Sequence, residues 1–486
     1  MNTSSLAKSA GRAALWQILG GGIQTLVRLG ASVFLARALK PSDFGLFGMA
    51  LLFRDFLVHI GAMGMTSGIV VKKNVSQEDL NTCFWTMAGV RSCMFFMAIL
   101  GAPLAALFFK EPRVIPVIQI VALCFIIQIL SIIPNTLLIK ELRFKSLNII
   151  NAIGALIESS LAVFFALKTD LAYWSLVIAL LISNVFINLS IFASAIWLPR
   201  LKFNKHSFQY LFRFGIHGLA FSTMNYLIQN LDYLIVGRLL GAYQLGLYEF
   251  AYRIPHLVFD RISRPVGGVV FPALSKVQDD NNKIFTGYVK SVKFVTLIAF
   301  PMLFGLAAVA DILVPVLWGE QWLSIIKPLQ ILCLCAALRC IFQPMGSIFY
   351  CKNRPELQSK IAFVNLIFTA ISVSILGYFY GLIGVAIGML VSCLPSFVFL
   401  WYAFHMLLRS HFLILLKELW PIIFSSLLCL FGAFGVKKLF FIINLNKQLI
   451  LPISIIAGGI VYLLCILILF NSLVKEIFEK IKLVFK

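Results

Sequence analysis

Charged residues are scarce in this chain. Asp, Glu, Lys and Arg make up 12% of its 486 residues, hydrophobic residues make up 61%, and the mean hydropathy is +0.97. Soluble domains are about 25% charged and about 45–50% apolar. The shortage of charge therefore excludes a soluble protein. Because an apolar run of about 20 residues crosses a bilayer as a helix, the long apolar runs predict an all-α integral membrane protein.

Long polar connections are also missing. No connection between apolar runs exceeds about 15 residues, which leaves no room for a separate soluble domain. The runs predict about 14 transmembrane helices. Their first residues are Arg12, Asp43, Asn81, Val114, Leu147, Leu171, Leu211, Tyr243, Gly287, Trp322, Leu357, Leu382, Phe412 and Leu449.

Acidic residues are the scarcer of the two charged classes. The chain has 19 carboxylates against 41 Lys and Arg, and its net charge is +22. No compact basic domain is present, so we expect no nucleic-acid partner. Of the 41 basic residues, 24 lie at the termini and in the even-numbered connections, and 10 lie in the odd-numbered ones. Since basic residues accumulate on the cytoplasmic side of membrane proteins, both termini are predicted to be cytoplasmic.

Cysteine motifs for metal or redox chemistry are absent. The 10 cysteines lie mostly within apolar runs. Cys333 and Cys335 lack the CxxC spacing of zinc and redox sites. We therefore expect no metal site and no cofactor, and we interpret the cysteines as small buried apolar residues. A cleavable signal peptide is not evident either, and the first apolar run is expected to remain in the protein.

An internal repeat is present. The segment 33–50 resembles 233–251 at an offset of 201, which aligns Arg37 with Arg238 and Gly45 with Gly246. The segment 119–124 resembles 330–335 at an offset of 211. The repeating unit contains six spans, and an even number keeps both copies in the same orientation. We therefore expect two six-helix lobes related by a pseudo-two-fold axis along the membrane normal. The predicted domains are 1–205, 206–410 and a pair of additional C-terminal helices in 411–486.

Arginines lie inside several apolar runs. A cation at bilayer depth costs about 2.5–3.5 kcal/mol on insertion scales, so such residues face a protein interior or a wet cavity. Seven cations against four anions leaves about three cations unpaired, which favours an anionic cargo bound by guanidinium groups. In the alternative interpretation, the arginines pair with carboxylates and tie helices together, and those nearest the cytoplasm extend to the headgroups. The arginines are Arg28, Arg54, Arg91, Arg253, Arg261, Arg264 and Arg339.

Helical spacing places these and other polar residues on common faces. Gln24 and Arg28 share a face of the first span, and the repeat offset aligns them with Asn225 and Gln229 of the seventh. We expect both faces to line a groove between the halves. In the eighth span a charged face is predicted, and its prolines predict a bend. That face carries Arg253, His256, Asp260 and Arg264.

Titratable groups in the spans are candidates for proton or sodium coupling. Histidine titrates near neutral pH, so His59 and His256 are candidate proton carriers. The alternative interpretation, a hydrogen-bonded histidine in a polar patch, is somewhat favoured for both. The carboxylates are either coupling groups or plain counter-ions, and the sequence does not distinguish the two. These carboxylates are Asp55, Glu158, Asp232 and Asp260.

Several motifs resemble those of one transporter family. The segments ARALKPSDFGLFGMA, ELRFKSL (141–147), RFGIHG (213–218), VGRLLGAYQLGLYEFAYRIP (236–255) and PVGGVVFPALSKVQDD (265–280) resemble Wzx-type polysaccharide flippases. These belong to the multidrug/oligosaccharidyl-lipid/polysaccharide superfamily, and the lipopolysaccharide and colanic-acid exporters are the most similar branch. The resemblance covers about residues 1–410.

The resemblance implies a non-enzymatic transporter of the bacterial inner membrane. Its substrate would be a short oligosaccharide on undecaprenyl pyrophosphate, moved to the periplasmic leaflet by alternating access with a cation as driver. Basic cavity residues of the family match Arg28, Arg54, Arg91, Arg253 and Arg339 in kind. Membrane lipid and a polysaccharide polymerase are expected partners, and we expect a monomer.

Three alternatives remain at this point. A multidrug or toxin exporter of the same superfamily would carry cationic cargo, which the arginine excess disfavours. A polymerase or ligase would need a catalytic group on a large outer connection, and the odd-numbered connections are short. A lipid-II flippase shares the predicted fold and the anionic headgroup, and only the resemblance to exporters disfavours it.

Overall fold

The computed structural model describes residues 3–61, 64–442 and 446–469. This part of the chain consists of helices and turns and contains no strand. Ten of its helices are long and apolar enough to cross a membrane, or eleven if the bent pair Pro41–Ile60 and Met65–Val71 forms one span. The prediction of an all-α, multi-pass membrane protein is confirmed. The count of about 14 crossings and the pseudo-two-fold axis remain predictions.

Two compact units divide the chain, unit 1 at Met1–Gly246 and unit 2 at Leu247–Lys486. The boundary lies within one long helix, α10. The helices that begin in unit 1 are α1 (Thr3–Ala38), α2 (Pro41–Ile60), α3 (Met65–Val71), α4 (Gln77–Phe109), α5 (Val114–Val121), α6 (Leu123–Ile127), α7 (Ile132–Lys140), α8 (Phe144–Lys168), α9 (Trp174–Ser194) and α10 (Lys205–Val258).

In unit 2, a π-helical turn at Phe259–Ser263 follows α10. The long helix α12 packs against α13, α17 and α18, and α17 also packs against α18. The remaining helices are α11 (Arg264–Ser275), α12 (Asn281–Leu317), α13 (Ile326–Phe342), α14 (Met345–Cys351), α15 (Pro355–Val391), α16 (Leu394–Tyr402), α17 (Phe412–Ile442) and α18 (Lys447–Leu469).

Helix ends follow the local sequence. Ser76 caps α4, because its hydroxyl accepts from the Asp79 N–H at 3.1 Å while the Asp79 carboxylate accepts from the Ser76 N–H at 2.9 Å. Asp280 caps α12 in the same manner by accepting from the Lys283 N–H at 3.0 Å. This backbone hydrogen bond is the main cause that lowers the pKa of Asp280 from its usual value. These caps explain why two long apolar helices begin abruptly at polar residues.

Glycine breaks two of the longest helices. Gly241 in α10 has φ 81° and ψ −179°, and Gly381 in α15 has φ 58° and ψ −139°. Only glycine adopts such positive φ values at low cost, so each position divides one helix into two segments. The bend predicted from Pro255 takes another form: α10 continues through it, and the backbone then changes to the π-helical turn.

The two glycines aligned by the repeat, Gly45 and Gly246, each lie against the backbone of the other repeated segment, within unit 1. A methyl group on Gly45 would lie 1.7 Å from the Ala242 carbonyl oxygen, and one on Gly246 would lie 1.9 Å from the Pro41 carbonyl oxygen. Pro41 and Ala242 are themselves aligned by the offset of 201. Reciprocal contacts between equivalent positions are the pattern that a two-fold axis produces. The close approach also explains why both positions carry no side chain.

Candidate functional site

Unit 1 contains an open cavity of about 730 Å³. Its walls come from the end of α2, from α3, α4 and α7, and from α8 and α9. Lys140 at the end of α7 holds α3 in position, because its ammonium donates to the Ile69 carbonyl at 2.8 Å and contacts the carbonyls of Val70 and Lys72. These bonds satisfy the carbonyls that end α3 and join two walls of the cavity.

Arg91 is the one cation among the described residues that line this cavity, and no carboxylate lies among them. It occupies the middle of α4. Its Nε and Nη1 atoms are buried and have no hydrogen-bond partner in the described part of the chain. Buried polar groups without a partner are rare in folded proteins, and an unpaired guanidinium is especially costly. A ligand in the cavity that supplies acceptor oxygens would satisfy these atoms once the arginine side chain turns them toward it.

Side-chain amides form a second feature of the cavity. Asn188 accepts a hydrogen bond from the Ser131 hydroxyl, and its Nδ2 donates to the Asn184 carbonyl at 2.7 Å. The Nδ2 of Asn184 donates to the Leu180 carbonyl at 2.9 Å. The other lining amides make no hydrogen bond to any described residue. These are Gln128, Asn135 and Asn151.

The other predicted arginines of unit 1 lie outside this cavity and have acidic partners. Arg28 Nη2 lies 3.0 Å from Glu158 Oε2, with the arginine side chain 62% exposed. Arg54 donates from Nε and Nη2 to the Asp55 carboxylate at 2.8 and 2.7 Å. The structural interpretation of the arginines as carboxylate partners therefore applies to this pair of arginines but not to Arg91.

The other predicted polar residues of unit 1, on α2 and α10, lie outside this cavity. His59 Nδ1 is 2.8 Å from the Ser222 hydroxyl, and the His59 ring stacks on Tyr226 at 4.9 Å between centroids. Asp232 is only 3% exposed, whereas Asn225 and Gln229 are exposed. None of these residues, nor Gln24, lines the cavity of Arg91.

The candidate residues of unit 2 form a chain of local pairs. Asp260 Oδ2 lies 3.2 Å from His256 Nδ1, and Asp260 Oδ1 lies 3.3 Å from Arg264 Nε. Arg253 pairs with Glu249 at 2.6 Å and stacks over the Phe250 ring. Glu249 was missed as a counter-ion by the sequence analysis, although its position four residues before Arg253 is the usual spacing of a helical ion pair.

Arg339 has a neutral partner instead. Its Nη1 donates to the Tyr252 hydroxyl, and its guanidinium lies 6.0 Å from the centre of the Tyr252 ring. Arg339 thereby joins α13 to α10 within unit 2. Arg261, the remaining predicted arginine, is exposed on the π-helical turn.

Unit 2 has its own cavity of about 610 Å³, between α12, α13 and α17. Its described lining is mostly apolar. Lys437 lies at one side, 10% exposed, and pairs with the Asp311 carboxylate at 3.0 Å while donating to the Ala308 carbonyl at 3.0 Å. Within the described residues no group of three or more His, Cys, Asp or Glu is placed to hold a metal ion.

Comparison with known proteins decides the family. Residues 34–327 match the model of the family described as "Polysaccharide biosynthesis protein". The chain belongs to this family. It is 29% identical to the lipopolysaccharide biosynthesis protein WzxC of Escherichia coli K12 over 396 residues, which cover 80% of this chain and 79% of the relative. An uncharacterized membrane protein in the cps region of Klebsiella pneumoniae is 29% identical over 93% of this chain and 94% of the relative.

Further similarities extend to more distant proteins. The teichuronic acid biosynthesis protein TuaB of Bacillus subtilis 168 is 26% identical over 82% of this chain and 83% of the relative. Among solved structures, lipid II flippase MurJ in an inward closed conformation superposes with a TM-score of 0.76 at 16% identity, covering 95% of this chain and all of that one. An inward-facing multidrug transporter of the MATE family has a TM-score of 0.61 at 16% identity, covering 81% of this chain and 96% of that one. The two superpositions establish the shared fold.

Proposed function

We propose that this protein is a flippase that moves an oligosaccharide linked to undecaprenyl pyrophosphate from the cytoplasmic to the outer leaflet, for synthesis of a surface polysaccharide. The observation that carries the proposal is Arg91, a partly buried arginine in a polar cavity, whose buried Nε and Nη1 atoms have no hydrogen-bond partner among the described residues. A pyrophosphate offers several anionic acceptor oxygens that suit guanidinium geometry. WzxC and TuaB, whose names place them in polysaccharide biosynthesis, support the same class of cargo.

The remaining elements of the proposal follow the sequence predictions. The protein lies in the bacterial inner membrane with both termini in the cytoplasm, its lobes are 1–205 and 206–410, and it works as a monomer by alternating access driven by protons or sodium ions. Arg28, Arg54, Arg253, Arg264 and Arg339 add basic character to the substrate path, and Gln24, Asn225 and Gln229 add neutral polar groups to it. The candidates for ion coupling are Asp55, Glu158, Asp232, Asp260, His59 and His256.

A multidrug antiporter is the competing function, since such a transporter shares the fold. The cavity of unit 1 disfavours it, because an organic cation would meet an unpaired arginine and no carboxylate among the described lining residues. A lipid-II flippase shares the anionic headgroup, and the cargo assay below separates it from the proposal by the glycan that accumulates.

The test is the leaflet distribution of lipid-linked oligosaccharide in a cell that lacks the gene. We expect accumulation on the cytoplasmic side, and we expect wild type to reverse it while well-expressed Arg91→Ala does not. Arg113→Ala is the matched control, since Arg113 is 59% exposed and pairs with Glu111 in a connection. That variant should restore transport fully.

Two results would overturn the proposal. One is a normal leaflet distribution and intact surface glycan in the deletion, in a cell with no second exporter. The other is accumulation of the cell-wall precursor alone, which would identify a lipid-II flippase. In the first case Arg91 would need a different anionic ligand, whereas in the second it would hold the anionic headgroup that a lipid-II flippase shares with the proposed function.

A further inference from the structure

We propose that the amide side of the unit 1 cavity is a sugar-binding subsite that selects a neutral sugar bearing hydroxyl or acetamido groups, next to the anionic group held by Arg91. This inference rests on the proposed function and adds to it the part of the cargo that the cavity recognises. The subsite consists of Gln128, Asn135, Asn151, Asn184 and Asn188, and the hydroxyl-bearing residues Thr66 and Ser67 of α3 line the same cavity.

Unused hydrogen-bonding capacity is the first argument. Gln128, Asn135 and Asn151 are partly buried and line the cavity, and their side-chain amides make no hydrogen bond to any described residue. Each carboxamide has two N–H donors and an oxygen with two lone pairs. A ligand that satisfies such groups must both donate and accept. Sugar hydroxyls and acetamido groups do both.

The same groups disfavour the other parts of a lipid-linked cargo. A pyrophosphate supplies acceptors only, so the amide oxygens would lose water and gain no donor. An isoprenoid chain supplies neither donors nor acceptors, and burying an amide without a partner costs about 1–3 kcal/mol. The amide side therefore suits the glycan, while Arg91 suits the anionic group.

The cavity also has apolar lining residues, which suit the C–H faces of a sugar ring. Val58, Ile139 and Ile187 line the cavity and can pack against the C–H groups of a pyranose ring. No aromatic residue lies among the described lining residues. Recognition would depend on hydrogen bonds, which distinguish sugars by the position of each hydroxyl.

Depth along the helices is the second argument. Asn151 lies seven residues after the start of α8, and Asn188 lies six residues before the end of α9. At about 1.5 Å per residue these positions are about 10 Å from the helix ends. Arg91 lies 14 residues after the start of α4, which places it about 21 Å along that helix. In the proposed orientation all three ends are cytoplasmic, so a sugar would lie near the side where the cargo is assembled and the anionic group would lie deeper.

Binding to the full-length protein in lipid nanodiscs tests the inference. One probe is the lipid-linked oligosaccharide extracted from a cell that lacks the gene, and the other is undecaprenyl pyrophosphate without sugar. We expect wild type to bind the glycan-bearing lipid at least about tenfold more tightly, since a few hydrogen bonds at about 0.5–1.5 kcal/mol each give that factor.

The decisive variant is Asn135→Ala combined with Asn151→Ala. We expect about tenfold weaker binding of the glycan-bearing lipid and less than twofold change for the sugar-free lipid. Asn148→Ala is the matched control: Asn148 is on the same helix as Asn151, but its Nδ2 donates to the Phe144 carbonyl at 2.9 Å and it does not line the cavity. It should bind both lipids as wild type does. Asn135→Ser and Asn151→Ser, which keep a small polar group, provide folded variants with intermediate losses.

Each contrary result has a separate meaning. If wild type binds neither lipid, the proposed function fails. If it binds both with equal affinity, or if the double alanine variant loses both equally while remaining folded, the proposed function stands and the sugar subsite is wrong. Arg91→Ala should weaken binding of both lipids, which separates the anion site from the amide side.

Discussion

The two units contain open cavities of similar volume, but the less exposed cation that lines each cavity is paired in unit 2 and unpaired among the described residues in unit 1. In unit 1, Arg91 lines a polar cavity, is partly buried, and has two buried nitrogen atoms with no partner in the described chain. In unit 2, Lys437 lies beside a mostly apolar cavity and is neutralised by Asp311 and the Ala308 carbonyl. A buried cation with its partner in the chain serves the fold, whereas one without a partner costs stability and indicates a ligand.

The comparison predicts its largest effect at Arg91. We expect Arg91→Met to reduce transport at least about 100-fold, since two hydrogen bonds to a charged group contribute about 1.5–3 kcal/mol each. The unfolding temperature of the purified protein should not fall, because the substitution removes a buried charge that no described residue compensates. Transport per folded molecule and thermal unfolding in detergent measure the two effects. A lower unfolding temperature with a proportional loss of transport would make Arg91 a structural residue.

At Lys437 we expect a smaller effect, on stability and not on transport. Lys437→Met leaves the Asp311 carboxylate without its cation, and we expect the free energy of unfolding to fall by about 1–2 kcal/mol. The loss is less than the full cost for a buried pair because Asp311 is 47% exposed. Transport per folded molecule should stay within about twofold of wild type. Combining Lys437→Met with Asp311→Leu should regain most of the stability, since replacing both partners leaves no unpaired charge. Thermal unfolding of the three variants checks this, and no recovery in the double variant would contradict it.

The smallest effect on stability is expected at Glu158. Arg28 is 62% exposed in this pair, and exposed ion pairs contribute about 0–1 kcal/mol. Glu158→Gln should therefore lower the unfolding temperature by less than Lys437→Met does. A loss as large as that of Lys437→Met would show that the pair is structural, and the contrast between paired and unpaired arginines in unit 1 would weaken.

Sequence reasoning reached some site residues and missed others for identifiable reasons. It found Arg91 because a cation inside an apolar run is visible in one dimension. It overlooked Asn135, Asn151 and Asn184, because a neutral amide in a span is common and costs little when it bonds its own helix, as Asn148 does. The signal that was available is the recurrence of such amides in three successive spans, the fourth, fifth and sixth.

The sequence by itself determined the class of the protein. Hydropathy and run length establish an all-α membrane protein, the scarcity of carboxylates predicts a cationic interior, and the motifs indicate the polysaccharide biosynthesis family that the comparison confirms. Only the tertiary structure decided which cation lacks a partner. Arg54 has its partner Asp55 next to it in the sequence, but Arg28 and Arg91 look alike along the chain, and their pairing depends on which side chains come within about 4 Å across helices. Packing brings Glu158 to Arg28 and brings no carboxylate of the described chain to Arg91, and that difference distinguishes a structural ion pair from a candidate binding site.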